Sequence, residues 1–199
     1  MSIAEKLQTI AENEQRVYEA GIEEGKKAEH DAWWEVYQQG GKPMAVNYMF
    51  AFDRWTDAVY KPKYPIRSSS STISNTFYSS GISDTVVDID ARGVQLAATF
   101  SYAYSLKKVR KLMVDESTTY NNPFNGTRAL VELGIEGTIG QNGFNVSPCT
   151  LLSHDSLMSI INALKSGVSG LTVTLGSTNL AKLTDAEKAI ATQKGWTLA

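Results

Sequence analysis

The stretch Phe77–Leu175 contains four segments in which a phenylalanine lies among small or polar residues: Thr76-Phe77-Tyr78-Ser79, Thr99-Phe100-Ser101-Tyr102, Pro123-Phe124-Asn125-Gly126 and Gly143-Phe144-Asn145-Val146. The phenylalanines are 23, 24 and 20 residues apart. About ten residues after each of the first three comes a short apolar segment: Val87-Asp88-Ile89, Leu112-Met113-Val114 and Leu133-Gly134-Ile135. Such a period predicts stacked repeats, because one repeat alone cannot bury its apolar face.

This pattern predicts an α/β solenoid: a short leucine-rich-repeat-like stack of parallel strands, with an N-terminal helical stalk and a C-terminal helical cap. We expect residues 1–30 to form the N-terminal helix and residues 31–199 to form the repeat domain. Within that domain we assign residues 31–66 to an N-terminal cap and residues 176–199 to a C-terminal cap. Terminal units deviate from the repeat because one of their faces meets something other than another repeat.

The predicted stalk carries a narrow apolar seam. Its spacings of four, three and seven residues are typical of a coiled coil, and its members are Ile3, Leu7, Ile10 and Val17. The flanks are heavily charged, which favours a homo-oligomer over the alternative of a helix docked on its own domain. Among oligomers we favour a trimer. Ser2 and Glu5 fit a capping box at the start of this helix.

The end of the repeat stretch predicts further helices. Ser153 is a suitable N-cap for a helix, and the apolar residues after it keep helical spacing: Leu157, Ile160, Ile161 and Leu164. Leu171–Leu175 alternates as a strand. Thr184 and Glu187 form a second capping box, which predicts a helix to about Gln193. We expect Trp196 to cover the exposed edge of the last strand.

The composition excludes several classes of protein. Hydrophobic residues make up 42% and charged residues 20% of the 199 residues, which is ordinary for a folded chain. The formal net charge of −2 gives no electrostatic case for nucleic acid or an anionic membrane. The sequence has neither a membrane-helix window of roughly 18 apolar residues nor a signal-peptide profile at its N-terminus. We expect synthesis in the cytoplasm, with no membrane partner.

The residue types that carry chemistry are sparse. Cys149 is the single cysteine, which excludes an internal disulfide, and we predict that it is a small buried residue. His30 and His154 lack partners at metal-ligand spacing and are expected to face water. The sequence therefore predicts no catalytic residue, no cofactor and no metal centre.

One candidate ligand-contact face follows from superposing the repeats on Val87, Leu112 and Leu133. The superposition places Asp90, Asp115 and Glu136 in register, and stacked carboxylates about 4.8 Å apart repel unless they fan into water or share a cation. Both interpretations stay open. The basic run Lys107–Lys111 adds Lys111 to this face. The run is either a solvated strand face or a binding site for an anionic polymer.

Several segments resemble one family. They are residues 3–14 (IAEKLQTIAENE), Ala32-Trp33-Trp34, Lys61-Pro62-Lys63-Tyr64, residues 135–140 (IEGTIG), residues 156–164 (SLMSIINAL), residues 180–184 (LAKLT) and Gly195-Trp196-Thr197-Leu198. Together they resemble BspA-like leucine-rich-repeat proteins, and in particular short ones encoded by phages and prophages of Gram-positive gut bacteria. The resemblance implies virion components near the tail tip or other fibres, or surface adhesins, with no enzymatic residues.

Three functions are therefore considered. The first is a non-enzymatic phage virion structural protein of the tail-fibre, baseplate or head-fibre type, located in the virion, whose partners are other virion proteins or a bacterial surface glycan or protein. The second is a bacterial leucine-rich-repeat module for protein binding or adhesion, unrelated to a virion. The third, an enzyme acting on cell-wall glycans, has only Asp88 and Asp90 as an acid/base pair, and the sequence supplies no pocket wall for them.

Overall fold

The computed structural model describes Asn47, Ala51, residues 64–82 and residues 86–199. These residues build parallel sheets with a few helices, an α/β arrangement, and all lie in one compact unit that spans Gly41–Ala199. The strands are β1 (Ile66–Arg67), β2 (Thr72–Ser74), β3 (Val86–Asp90), β4 (Gln95–Ala97), β5 (Lys108–Val114), β6 (Thr119–Asn121), β7 (Glu132–Gly137), β8 (Leu171–Val173) and β9 (Trp196–Leu198). The helices are α1 (His154–Ala163), α2 (Ser177–Leu180) and α3 (Asp185–Gln193).

The predicted N-terminal segments lie outside the described residues. This holds for the helix of residues 1–30, for its seam at Ile3, Leu7, Ile10 and Val17, and for most of the cap assigned to residues 31–66. The domain boundary between residues 30 and 31 stays a prediction.

The longer strands form one parallel sheet in the order β1-β3-β5-β7. Its central row aligns Ile66 with Ile89, Ile89 with Leu112, and Leu112 with Ile135. Each step in this row is 23 residues, so the period found in the sequence is the interval between neighbouring strands. The prediction that the apolar segments lie side by side in one parallel sheet is confirmed.

The predicted register within that sheet is wrong. The superposition matched Val87 and Leu133 to Leu112, whereas the structure pairs Leu133 with Val109. The first apolar residue of each segment was matched, whereas the residues that share a row are Ile89, Leu112 and Ile135. A β-bulge shifts the register by one further residue, because the step from Val109 to Leu112 in β5 lies opposite the shorter step from Leu133 to Ile135 in β7. The extra residue lets Val109 and Leu112 both face the core, where each is 0% exposed.

A second parallel sheet, of three-residue strands, has the order β2-β4-β6 and was not predicted. Its central residues Ile73, Leu96 and Tyr120 are aligned and buried. We use the word layer for one long strand or helix, the short strand that follows it, and the turn after that. The side of the layers formed by the short strands and their following turns is called the short-strand side.

The turn after each short strand repeats from layer to layer. The first turn residue has a positive φ in all three cases, 52° at Asn75, 49° at Ala98 and 49° at Asn122. Backbone hydrogen bonds then join neighbouring layers through the turn itself, as in the bond from Phe100 N to Pro123 O at 2.8 Å. Local conformation and inter-layer pairing therefore support each other.

The four phenylalanines of the sequence repeat form a buried stack. Ring centroids are 5.6 Å apart for Phe77 and Phe100, 5.2 Å for Phe100 and Phe124, and 5.8 Å for Phe124 and Phe144. The first two pairs are nearly parallel, with interplanar angles of 8° and 7°. Buried threonines bind the layers beside the stack, since Thr127 Oγ1 donates to Phe100 O at 2.6 Å. Stacked rings and bonded hydroxyls together hold successive layers in register.

Helix α1 replaces the long strand after β7. Ser153 is its N-cap, as predicted, and accepts a hydrogen bond from Ser156 N. Two serines of the helix then satisfy amides on the edge of β7: Leu133 N donates to Ser156 Oγ at 2.9 Å, and Ile135 N donates to Ser159 Oγ at 2.8 Å. The helix thus ends the first sheet without leaving these two amides unpaired.

The last layers differ in part from the prediction. The capping box of Thr184 and Glu187 starts α3, as expected. The strand predicted over Leu171–Leu175 ends at Val173, and Trp196 is not a separate cover but the first residue of β9, which pairs in parallel with β8. The indole is buried, and its Nε1 donates to Lys165 O at 2.8 Å. The assignment of residues 176–199 to a terminal cap stays a prediction.

Candidate functional site

The residues predicted to form a ligand-contact face do not form one row. Asp90 is aligned with Met113, and Met113 with Glu136, so Asp115 lies two residues beyond that row. The expected register of the three carboxylates is therefore wrong, for the same reason as the strand register. Lys111 does lie beside Glu136, with 2.7 Å between Nζ and Oε2.

Asp90 is held between two arginines. Its carboxylate accepts hydrogen bonds from Arg92 Nε and Nη2 at 2.8 and 2.7 Å, and Arg67 Nε is 2.9 Å from Oδ2. The hydrogen bonds from Arg92 hold the pKa of Asp90 below its ordinary value, against the effect of burial. The position predicted to contribute a repulsive charge is thus locally neutralised.

Asp115 organises the turn after β5. Its Oδ1 accepts hydrogen bonds from Ser117 N at 3.0 Å, from Thr118 N at 3.0 Å and from Gly93 N of the preceding layer at 3.1 Å. Burial raises the pKa of Asp115. Hydrogen bonds from the hydroxyl and amide of Ser117, the amide of Gly93 and the hydroxyl of Thr118 lower it by more, so the net shift of the pKa is downward. This carboxylate has a structural role in the turn.

The basic run on β5 lies between acidic residues on both neighbouring strands. Arg110 forms a two-point ion pair with Asp88 on β3, and Lys108 Nζ is 2.7 Å from Glu132 Oε1 on β7. The bulge in β5 directs Arg110 and Lys111 away from the core together. The exposed pair of Lys108 and Glu132 contributes about 0–1 kcal/mol, whereas Asp88 of the other pair is buried, with 6% of its surface exposed.

Among the residues that the structure describes, no cluster of three or more His, Cys, Asp or Glu side chains is placed to hold a metal ion. His154, predicted to face water, is half exposed and its Nε2 lies 2.8 Å from Glu187 Oε1 on α3. Cys149 is buried, as predicted, and burial raises the pKa of its thiol to about 12. No described helix is long and apolar enough to cross a membrane.

Six runs without Asp, Glu, Lys, Arg or His recur along the layers, and they contain the short strands; they are residues 68–82, 94–106, 117–127, 137–153, 166–181 and 195–199. The short-strand side is nevertheless not free of charge. Exposed Arg128 lies in the turn after β6 at the position that Tyr104 has in the turn after β4, and Lys182 Nζ donates to Thr150 O and Leu152 O. The ion pairs described above all involve the long strands, the turns beside them or the helices. The charge-free runs were not predicted, although the sequence contains them.

The turn after β4 carries a group of aromatic residues around Tyr102. Tyr104 is 57% exposed, and its ring centroid is 6.0 Å from that of Tyr102. The ring centroids of Tyr102 and Tyr78 are 5.4 Å apart, and the hydroxyl of Tyr102 accepts a hydrogen bond from Asn125 Nδ2 at 3.1 Å. Tyr102 is thus held by two rings and one side-chain amide, beside the exposed ring of Tyr104.

Comparisons of this chain with protein-family models, with curated proteins and with solved structures found no match.

Proposed function

We propose that the repeat domain is a short solenoid of the leucine-rich-repeat kind, and that the chain is a non-enzymatic structural protein of a phage virion, of the tail-fibre, baseplate or head-fibre type. In this proposal the repeat domain is presented to a host surface or to another virion subunit. The N-terminal helix assembles the chain into a homo-oligomer, with a trimer favoured.

The observation that carries the structural role is how the layers use their buried polar groups. Thr99 Oγ1 donates to Ile73 O at 2.6 Å, Thr118 Oγ1 donates to Ala91 O at 2.9 Å, and Ser156 and Ser159 bind the edge of β7. Each of these bonds joins one layer to the next. Hydroxyl groups that are hydrogen-bonded to backbone carbonyls and amides inside the fold support a rigid scaffold that interacts through its surfaces.

The virion assignment is supported by the resemblance of the quoted segments, and the oligomer by the apolar seam of the N-terminal helix. Light scattering of the full chain should give three times the 21.8 kDa mass of one chain. Leu7→Glu, which places a charge in the seam, should release monomers, whereas Gln8→Glu, on the charged flank, should leave the mass unchanged.

A monomer in the full chain, or equal behaviour of the two variants, contradicts the assembly and favours the lone bacterial module. The virion part is tested separately by staining purified phage particles from a lysogen that encodes the chain. Labelling on the particle by an antibody against residues 64–199 is the expected result, and antigen found only in the particle-free lysate contradicts it.

A further inference from the structure

We propose that Asn142 is a site of spontaneous deamidation in the folded chain, with the backbone amide of Gly143 as the nucleophile. The reaction converts a neutral side chain on the surface into a carboxylate without an enzyme. The proposal does not depend on the virion assignment, because it concerns the chemistry of one turn.

The sequence alone marks two asparagines. The chain contains two Asn-Gly pairs, Asn125-Gly126 and Asn142-Gly143. Glycine lacks a Cβ and adopts many backbone conformations, so its amide can approach the preceding side chain more easily than that of any other residue. Both asparagines are exposed, and the structure distinguishes them by what surrounds each pair.

The reaction has two steps and involves no oxidation or reduction. The nitrogen of Gly143 loses its proton to water or hydroxide and bonds to Cγ of Asn142. The bond from Cγ to Nδ2 breaks, and Nδ2 takes up a proton and leaves as ammonia, which gives a cyclic succinimide. Water then adds to one of the two ring carbonyl carbons and opens the ring, leaving aspartate or isoaspartate.

The first difference between the pairs concerns the side-chain oxygen that becomes negative when the new bond forms. Oδ1 of Asn142 accepts a hydrogen bond from Thr172 N, 2.8 Å away. A backbone N–H directed at such an oxygen stabilises the tetrahedral intermediate. The side-chain oxygen of Asn125 has no donor among the described residues. The fold therefore assists the attack at Asn142 alone.

The second difference concerns the group that leaves. Nδ2 of Asn125 donates a hydrogen bond to the hydroxyl of Tyr102 at 3.1 Å, and this bond must break before ammonia is lost. Within the described part of the chain, nothing accepts a hydrogen bond from Nδ2 of Asn142. Ammonia can therefore leave from Asn142 directly into water.

The third difference is the access of water to the attacking amide. Gly143 is exposed, whereas Gly126 is buried. The ring of Tyr102 covers Gly126 closely, since a Cβ at Gly126 would lie 2.8 Å from Cδ1 of that ring. Water or hydroxide can thus remove the proton from the amide of Gly143 more readily than from that of Gly126.

The two products should differ in their effect on the fold. An aspartate still accepts a hydrogen bond from Thr172 N and so keeps this contact between layers. Isoaspartate lengthens the main chain by one methylene directly before Gly143, where space is short, because a Cβ at Gly143 would lie 2.8 Å from Tyr120 O. The isoaspartate form should therefore melt at a lower temperature than the aspartate form.

The test is incubation of the full chain in mildly alkaline buffer, followed by tryptic peptide mapping with mass spectrometry. Cleavage after Arg128 places the two asparagines in different peptides. In the folded chain, we expect Asn142 to be converted at least about tenfold faster than Asn125, because one donor to a developing oxyanion has an effect of this size or larger. In urea the two rates should converge, and Asn142 should react no faster than in the folded chain.

Two matched variants assign the new charge to one position. Glutamine closes a larger ring much more slowly, so the acidic band that aged wild type shows in isoelectric focusing should be absent from Asn142→Gln and present in Asn125→Gln. Thermal melts of fresh samples check that both variants are folded.

Three results would overturn the proposal. The first is conversion of Asn125 as fast as that of Asn142 in the folded chain. The second is an acidic band that persists in Asn142→Gln. The third is a rate at Asn142 that rises on unfolding as steeply as the rate at Asn125, because the hydrogen bond from Thr172 would then give no assistance.

Discussion

The hydroxyl of Ser156 accepts a hydrogen bond from the amide of Leu133, 2.9 Å away, and so satisfies the edge of a sheet with the side chain of a helix. Both groups are buried, and Ser156 is 5% exposed. A buried amide that loses its partner costs about 1–3 kcal/mol.

Replacing this hydroxyl should therefore lower stability substantially. We expect Ser156→Ala to reduce the free energy of unfolding by about 1–3 kcal/mol in urea titrations. Ser169→Ala, at an exposed serine, is the control and should change it by less than about 0.5 kcal/mol. Equal stability of the two variants would show that the helix holds the strand edge by packing alone.

The phenylalanine stack gives a second prediction. Phe100 is the ring with a parallel neighbour on each side, and it is 0% exposed. Phe100→Ala should cost about 3–5 kcal/mol, because it opens a cavity and removes two stacking contacts. Phe100→Leu keeps most of the volume and should cost less. A loss below about 1 kcal/mol for the alanine variant, measured by the same titration, would mean that the stack contributes little.

Ala98 offers a prediction in the opposite direction. Its φ of 49° is unfavourable for a residue with a Cβ by roughly 1–2 kcal/mol. Ala98→Gly should therefore raise the free energy of unfolding by about 1 kcal/mol. The neighbour Ala97 lies in β4, so Ala97→Gly should lower it by about 0.5–1 kcal/mol. Thermal melts of the two variants should shift to opposite sides of wild type, and a shift in the same direction would contradict the assigned turn.

Acid should destabilise the fold through its bonded carboxylates. The folded pKa values of Asp90, Asp115 and Glu187 are lowered, so the stability these groups contribute is present above their unfolded pKa and is lost as the pH falls through the folded value. We expect the melting temperature to drop once the pH falls below about 4, near the unfolded pKa of aspartate.

Asp115→Asn tests whether Asp115 contributes to the loss of stability in acid. The amide oxygen can still accept from Ser117, Thr118 and Gly93 but does not titrate, so the variant should show a shallower dependence on pH than wild type. If the melting temperatures of wild type and Asp115→Asn fall equally between about pH 5 and pH 3, Asp115 does not contribute to the loss of stability in acid.

The thiol of Cys149 should report on unfolding. Burial raises its pKa to about 12, so the thiolate that reacts with a disulfide reagent is scarce in the folded protein. Labelling should be absent in buffer and complete in strong denaturant. Rapid labelling of the folded chain would mean that the layers around Cys149 open readily.

The period of the sequence predicts the long strands because one phenylalanine and one apolar segment recur in each layer. The register could not be predicted in the same way, since the segments do not show that Ile89, Leu112 and Ile135 are the equivalent residues, and the bulge in β5 adds a residue that no local pattern signals. The short strands were missed because segments such as Gln95-Leu96-Ala97 have three residues and little intrinsic strand preference. Their conformation depends on pairing with the next layer, which is a property of the folded chain.

The candidate site failed for a related reason. Asp90, Asp115 and Glu136 were grouped by counting from the wrong strand positions, and the arginine partners of Asp90 come from two layers that no single segment brings together.

The replacement of strands by helices in the last layers has a geometric consequence. A helix with its side chains is roughly 10 Å wide, whereas neighbouring strands lie about 4.8 Å apart. Where α1 and α3 succeed β7, one flank therefore widens while β8 and β9 keep the other flank at strand spacing. We therefore expect residues 132–199 to form a wedge that narrows toward β8 and β9, so that the stack of layers curves at this end.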